Sequence, residues 1–393
     1  MSTSKIITRT ILLISFVSFF NDIASEMLYP VMPVYLRSIG FSVLLIGILE
    51  GISELTAGLS KGYFGTLSDT KGKRMPFIQL GYMLSAISKP MMALLTHPLW
   101  IFAARTSDRL GKGLRTGARD AILSDETTPE NKGKVFGFHR GFDTLGAAVG
   151  PFVALIYLYF YPQQYFWLFF IAFVPGLFSI IITFFIKEKK REKLLAKKVS
   201  FFSYISYWKV STHAYKVLVV GLLAFAFFNS SDAFLLLTLK ANGMDDTHMI
   251  GFYIFYNLVF ALMSYPVGMI GDKIGLKRTL IIGLVLFSLS YFAMGFAFEW
   301  WHFIVIFFIY GIYAAATDGI SKALITNISK RTETATSIGF YTSFASVAAF
   351  FASSVGGLLF LFSPKLMFIF SGTGVLMVVV FFIFVKVKAE TDV

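Results

Sequence analysis

Mostly apolar segments of about 20 residues or more follow one another along the whole chain, separated by short polar connections. Coiled into a helix, a run of that length matches the hydrocarbon thickness of a bilayer. Lipid offers no hydrogen-bond partners to backbone amides, and a helix satisfies them within one segment. The chain is therefore expected to be an all-α membrane protein. Composition agrees: 56% of the 393 residues are hydrophobic and 15% charged, against about 25% charged in soluble domains. Twelve transmembrane helices are predicted, at 9–37, 43–69, 75–96, 99–124, 133–160, 164–187, 213–240, 246–272, 276–297, 301–328, 333–361 and 365–387.

The net charge of +13 raises the possibility of a nucleic-acid partner, and the positions of the charges argue against it. With the N-terminus inside, 21 Lys and Arg fall on the inner side, and only Arg37, Lys240 and Lys365 on the outer side. That bias predicts a multi-pass protein with both termini cytoplasmic and no nucleic-acid role. Short outer loops suggest a prokaryotic inner (plasma) membrane. Lys5 and Arg9 precede an apolar run without a small-residue cleavage site, so no cleavable signal peptide is expected. The chain has no cysteine, which excludes disulfides and thiolate metal sites.

Six spans precede a basic stretch and six follow it. That stretch has seven Lys and Arg between Lys187 and Lys198, followed by FFSYISYW at 201–208. It is read as a linker, 188–212, on the cytoplasmic surface, with its bases near anionic lipid headgroups and its aromatic rings in the interface. It separates an N-terminal half, 1–187, from a C-terminal half, 213–393. The halves repeat. GTLSDTKGKR at 65–74 is echoed by GMIGDKIGLK at 268–277, with Gly65, Asp69 and Gly72 falling on Gly268, Asp272 and Gly275. RDAILSD at 119–125 matches SKALITN at 321–327, and the Gly-Phe of 137–138 matches that of 339–340. Pseudo-symmetric halves of this kind point to a secondary transporter whose small-molecule substrate binds near the midplane.

Between the second and third spans, Gly65, Leu67, Asp69, Gly72, Lys73 and Arg74 fill the pattern G-x-L-x-D-x-x-G-[KR]-[KR]. This resembles the signature loop of the major facilitator superfamily (MFS); the second-half copy is partial. The resemblance implies the MFS fold of two six-helix halves, an alternating-access mechanism, no enzyme activity, no cofactor beyond a proton gradient, and a monomer. It also implies that Asp69 contacts the opposite half at the cytoplasmic side. Gly137, Gly146, Gly150 and Pro151 in the fifth span resemble the family's antiporter-associated glycine pattern, in which Gly lets helices approach closely and Pro adds a bend. Ala154 and Leu155 stand where that pattern ends in two further glycines.

The stretch DRLGKGLRTGARD, 108–120, is dense in charge for so apolar a chain. The alternation of sides requires it to cross the membrane. As a helix it gathers Arg105, Asp108, Arg109, Lys112, Arg115, Arg119 and Asp120 within an arc of about 140°. Charges so placed cannot face lipid, at roughly 2.5–3.5 kcal/mol each near the bilayer centre. They must meet water or partner carboxylates. The residues from Arg115 onward are expected near the cytoplasmic interface, as snorkelling side chains or as a gate-closing pair. Partners are available in Asp22 and Glu26, in Glu50 and Glu54, and in His139, Arg140 and Asp143 of the fifth span. First-half acids and bases nearly balance, which predicts a paired network.

The leading expectation is a proton-coupled antiporter that exports a small organic compound. A cavity carboxylate beside an arginine changes its proton affinity when the arginine moves, and Asp22 and Glu26 are the first candidates, then Glu50 and Glu54. In the family resemblance, Arg105 takes the place of the fourth-span arginine linked with proton coupling. The second half, with Asp232, Asp318 and Lys322, is expected to supply mainly apolar substrate contacts. The alternative is a carrier of an anionic or zwitterionic metabolite held by Arg105 and Arg109. A metal-ion carrier has only His139 and Asp143 on one face in its favour, and no metal site is assigned. A non-transporting receptor is the remaining reading. The GKG at 111–113 lies inside a charged helix and lacks the context of a phosphate loop.

Overall fold

The structure, a computed structural model, describes residues 6–188 and 200–385. In chain order the α-helices among them are α1 (Arg9–Glu26), α2 (Met32–Ser38), α3 (Val43–Lys71), α4 (Met75–Leu94), α5 (Pro98–Asp125), α6 (Lys132–Phe160), α7 (Tyr165–Thr183), α8 (Tyr207–Val210), α9 (His213–Phe228), α10 (Ala233–Ala241), α11 (Asp246–Ile274), α12 (Leu276–Met294), α13 (Trp300–Ile328), α14 (Thr334–Phe362) and α15 (Pro364–Phe384). No strand occurs among the described residues.

Ten of the twelve expected spans are single helices, with ends within a few residues of the expected limits. The first and seventh are each broken in two, which was not expected. Pro30 disfavours helical geometry at the residue before it, and Pro33 sits in the first turn of α2, where its missing N–H costs nothing. Between α9 and α10 the chain reads Asn-Ser-Ser-Asp, side chains that compete with the helix for backbone groups. A shift of 202 residues, the one that superposes the Gly-Phe pairs, carries Glu26 at the end of α1 onto Phe228 at the end of α9. The break is thus part of the repeat.

Eight segments, α6, α7, α9 with α10, and α11 to α15, are long and apolar enough to span by length and hydropathy alone. The remaining spans all lie in the first half, where the charges are concentrated.

The chain forms two compact units. The first comprises Met1–Glu126, Phe142–Tyr207 and Lys330–Ser343; the second comprises Thr127–Gly141, Trp208–Ser329 and Phe344–Val393. Each therefore takes in a short segment from the other half of the sequence. Within the first unit α5 packs on α3 and α4, and α7 on α1 and α4. Within the second, α13 packs on α11 and α12, and α15 on α9 and α12. The internal packing repeats helix for helix.

Glycines make the tightest of these contacts possible. A Cβ at Gly81 on α4 would stand 2.6 Å from the Gly111 carbonyl oxygen on α5. Gly111 and Gly113 of the GKG stretch thus let α5 press against α4 and α3. In α6, Gly146 and Gly150 lie against the α1 backbone, whereas Gly137 and Gly141 lie against α11.

Of the linker and its basic stretch, residues 189–199 lie outside the described residues, and the expected contact of those bases with anionic lipid lies outside them too. The aromatic segment after them departs from the interfacial expectation. Tyr204 is 2% exposed and its ring covers Gly62 of α3, while Tyr207 is 6% exposed beside Phe340. Only Phe201, Phe202 and Ile205 of that stretch are exposed hydrophobics. The segment is a strap bound to protein along one face.

Candidate functional site

In the first unit, α5 presents Arg105 and Arg109 one helical turn apart, and α3 presents Glu50 and Glu54 at the same spacing. Arg105 donates from Nε and Nη2 to the two Glu50 oxygens, both at 2.9 Å. Arg109 Nε lies 3.3 Å from Glu54 Oε1. Two i, i+4 pairs on facing helices form a two-rung ladder. The upper rung is the drier: the Arg105 and Glu50 side chains are 7% and 34% exposed, against 12% and 56% for Arg109 and Glu54. Lys112 is exposed.

On its other flank α5 meets α4. Asp108 sits between Lys89 Nζ at 3.6 Å and Arg105 Nη1 at 3.7 Å. Lys89 is 1% exposed and also donates to the Ser85 carbonyl at 2.8 Å. Ser85 Oγ accepts from Arg115 Nη1 at 2.7 Å, and the Arg115 guanidinium lies over the Tyr82 ring. Lys89 and Ser85 were not among the predicted site residues. A lone lysine inside the apolar third span was their only sequence signal.

Arg115, Arg119 and Asp120 do not snorkel to the interface. They are 6%, 8% and 0% exposed, held inside the protein. Arg119 pairs with Asp120 at 3.0 Å and Asp143 at 3.6 Å, and donates to Ser18 Oγ at 3.1 Å. On α1, Asp22 accepts from Asn21 Nδ2 at 3.2 Å. Glu26 lies in the field of Lys112, Arg109, Arg105 and Asp143.

The fifth span does not act as one block. Asp143 belongs to the first unit, with Arg119. Arg140 and His139 belong to the second, where Arg140 pairs with Asp318 at 2.6 Å and lies over the Phe260 ring, and His139 is buried at 3% exposure. No group of three or more His, Cys, Asp or Glu among the described residues could hold a metal ion.

The signature loops anchor helix N-termini. Asp69 accepts from the Thr336 N–H at 2.8 Å and its hydroxyl at 3.0 Å, in the first turn of α14. It also holds Arg74 at 3.0 Å, and Arg74, wholly buried, reaches Asp125 at 2.6 Å. In the second unit Asp272 accepts the Gly133 and Lys134 N–H groups, both at 2.8 Å, in the first turn of α6. Each carboxylate caps another helix's unsatisfied amides and meets the positive end of its dipole. The second-half loop, partial in sequence, keeps this function whole. Gly72 and Gly275 end α3 and α11 at φ +61° and +101°, where a side chain would strain the turn. Close approach at Gly65 and Gly268 brings the partner backbone within reach. Lys73 is exposed. Glu188 accepts the Arg74 and Met75 N–H groups at 2.7 and 3.1 Å and so caps α4. Nothing local marked Glu188, which comes just after the last apolar residues of the sixth span.

The sequence profile of the Major Facilitator Superfamily matches residues 14–256 and 243–392, essentially the whole chain. The chain belongs to the Major Facilitator Superfamily. Among relatives, an uncharacterized MFS-type transporter, MJ1317 of Methanocaldococcus jannaschii, is 30% identical over 376 residues, covering 93% of this chain and 92% of that protein. The quinolone resistance protein NorA of Staphylococcus aureus is 26% identical over 140 residues, 35% of this chain and 36% of that protein. The crystal structure of the human organic anion transporter MFSD10 (TETRAN) has the same fold, with a TM-score of 0.78 at 16% identity, covering 95% of this chain and 99% of that one. As an MFS member the chain is a membrane-embedded transporter of a small molecule and not an enzyme.

Proposed function

We propose that this transporter exchanges protons for a small organic compound and exports it by alternating access. The proton gradient drives the exchange, in a monomer of an inner membrane with both termini cytoplasmic. Halves 1–187 and 213–393 are joined by the linker 188–212, whose bases meet anionic lipid. The observation that carries this reading is the ladder: Arg105 and Arg109 are already occupied by Glu50 and Glu54. Arginines committed to carboxylates form a network whose proton affinity changes when the pairs open, and they are poorly placed to clamp a substrate anion as well. Glu26, in the field of three bases, and Asp22 beside it are the first proton carriers to test. NorA, a resistance protein by name, supports the export direction.

Everted membrane vesicles loaded with protons and an internal pH dye test this. Cationic, zwitterionic and anionic compounds are added in turn, with Glu26→Gln and Arg105→Ala as controls. A compound that collapses the gradient only with Glu26 intact supports proton-coupled export and names the substrate class. If none does, while radiolabelled anions enter through the wild type and not through Arg105→Ala, the carrier of anionic metabolites replaces it.

A further inference from the structure

In the second unit the break between α9 and α10 leaves Asp232 immediately before α10. The Tyr310 hydroxyl donates to Asp232 Oδ1 at 2.6 Å. Three more tyrosine rings pack around Tyr310: Tyr256 from α11 at 5.1 Å, Tyr291 from α12 at 6.2 Å and Tyr313 of α13 at 4.9 Å between centroids. All four rings are buried. Tyr291 is engaged with Ser230 Oγ at 3.0 Å, within the break.

Among the described residues no base is paired with Asp232, and its interactions are desolvation and the Tyr310 hydrogen bond. Of the bases on neighbouring elements, Lys322 stands on α13 twelve residues past Tyr310, and Lys273, Lys277 and Arg278 stand at the ends of α11 and α12 remote from Tyr256 and Tyr291; none of them acts on Asp232. Arg140, which faces Tyr256, is bound to Asp318, which acts on Tyr313. Lys365, the one charged residue of α15, lies over the Phe296 ring. Residues 344–362 of α14 contain no ionisable side chain. On its own span, Lys240 is eight residues ahead and Lys216 sixteen behind. The acids of the first unit are placed differently: Glu50, Glu54, Asp108, Asp120 and Asp143 each face an arginine or a lysine.

A carboxylate inside a span with no counter-cation is costly while ionised and is relieved by taking up a proton. The Tyr310 bond occupies one oxygen and leaves Oδ2 able to accept a hydrogen. Breaks in transmembrane helices are also where transporters of this kind seat coupling ions.

We propose that Asp232 is a second proton-binding carboxylate of this transporter, seated in the tyrosine cluster of the second unit. The proposal rests on the proton-coupled reading above and extends it to the half expected to supply mainly apolar contacts. The step is balanced by itself. A proton arriving from one side forms the O–H bond at Asp232 Oδ2, and the same bond breaks to release a proton to the other side. Tyr310 keeps its own hydrogen throughout.

Infrared difference spectra of the full-length protein in detergent, between acidic and alkaline buffer, read carboxyl protonation without a transported compound. The wild type is expected to show a carboxylic-acid C=O band that disappears on alkalinisation. Asp232→Asn should lose that band, and Glu26→Gln should retain it. Tyr310→Phe should keep the band but move it to higher frequency, because the carbonyl loses its donor. If Asp232→Asn fails to fold, the Tyr310→Phe displacement decides alone. Identical spectra for wild type and Asp232→Asn, or an unmoved band in Tyr310→Phe, would overturn the proposal. A titrating band removed only by Glu26→Gln sinks Asp232 and leaves proton coupling standing. No titrating carboxyl in any variant sinks both.

Discussion

Asp69 and Asp272 occupy equivalent places in the two signature loops and cap equivalent helices, yet their removal should not cost the same. Asp69 accepts two bonds from Thr336 and also neutralises Arg74, which has no solvent exposure. Asp272 accepts two backbone N–H groups and, although the charge of Lys134 acts on it, makes no ion-pair contact among the described residues. In Asp272→Asn the amide oxygen can still accept one N–H, so the loss is close to that of one capping bond, about 1 kcal/mol. Asp69→Asn likewise keeps an acceptor for Thr336 but strips Arg74 of a partner. Breaking a buried pair costs about 3–5 kcal/mol. Asp125 remains 2.6 Å from Arg74 and is itself 15% exposed, which reduces the figure to about 2–3 kcal/mol. Reversible unfolding in mixed detergent micelles, monitored by circular dichroism, measures both. The double variant Asp69→Asn/Arg74→Leu removes the stranded charge and should recover part of the loss, since removing both partners of a buried pair is far cheaper than removing one. Equal losses for Asp69→Asn and Asp272→Asn, with no recovery in the double variant, would refute the idea that Arg74 makes the two copies unequal.

Gly81→Ala forces a Cβ to within 2.6 Å of the Gly111 backbone oxygen and should lower the melting temperature in detergent. Gly51→Ala, in a helix with nothing within 4 Å, should be neutral or gain about 0.5–1 kcal/mol; a reversal of that order would contradict the α4–α5 contact. Lys89→Met leaves Asp108 with Arg105 at 3.7 Å as its remaining partner and should destabilise by about 2–3 kcal/mol, whereas Lys89→Met/Asp108→Asn should lose less. Equilibrium unfolding of the wild type, Lys89→Met, Asp108→Asn and the double variant compares them, and an additive result would mean the two groups do not interact. Tyr204→Ala removes a buried ring from Gly62 and should cost about 3 kcal/mol. It should also speed proteolysis after 200–210 in native vesicles; unchanged cleavage would place the strap off the protein.

The spans, their order and the charged face of α5 follow from local rules that act wherever the chain sits. Apolar length sets a membrane crossing, and a rise of one turn every 3.6 residues sorts the charges to one side. The repeat was legible because Gly65, Asp69 and Gly72 and their counterparts keep one spacing within a short stretch of chain, although the backbones that Gly65 and Gly268 approach are distant in sequence. Even the ladder's spacing could be read, because Glu50 and Glu54 match Arg105 and Arg109 turn for turn.

Which acid meets which base was decided only in the folded molecule. Arg140 and Asp143 lie three residues apart on α6 yet serve different units, Arg140 with Asp318 and Asp143 with Arg119. Period alone gives each side chain a direction but not a neighbour, and the neighbour comes from how distant helices pack. The same holds for Glu188 on the amides of α4, for Tyr204 over Gly62, and for Asp232, whose environment is set by tyrosines from three other helices. A charged side chain is defined chemically by what lies within a few ångströms of it. In this protein those atoms come mostly from helices far away in sequence, brought within reach by glycines small enough to let the backbones touch.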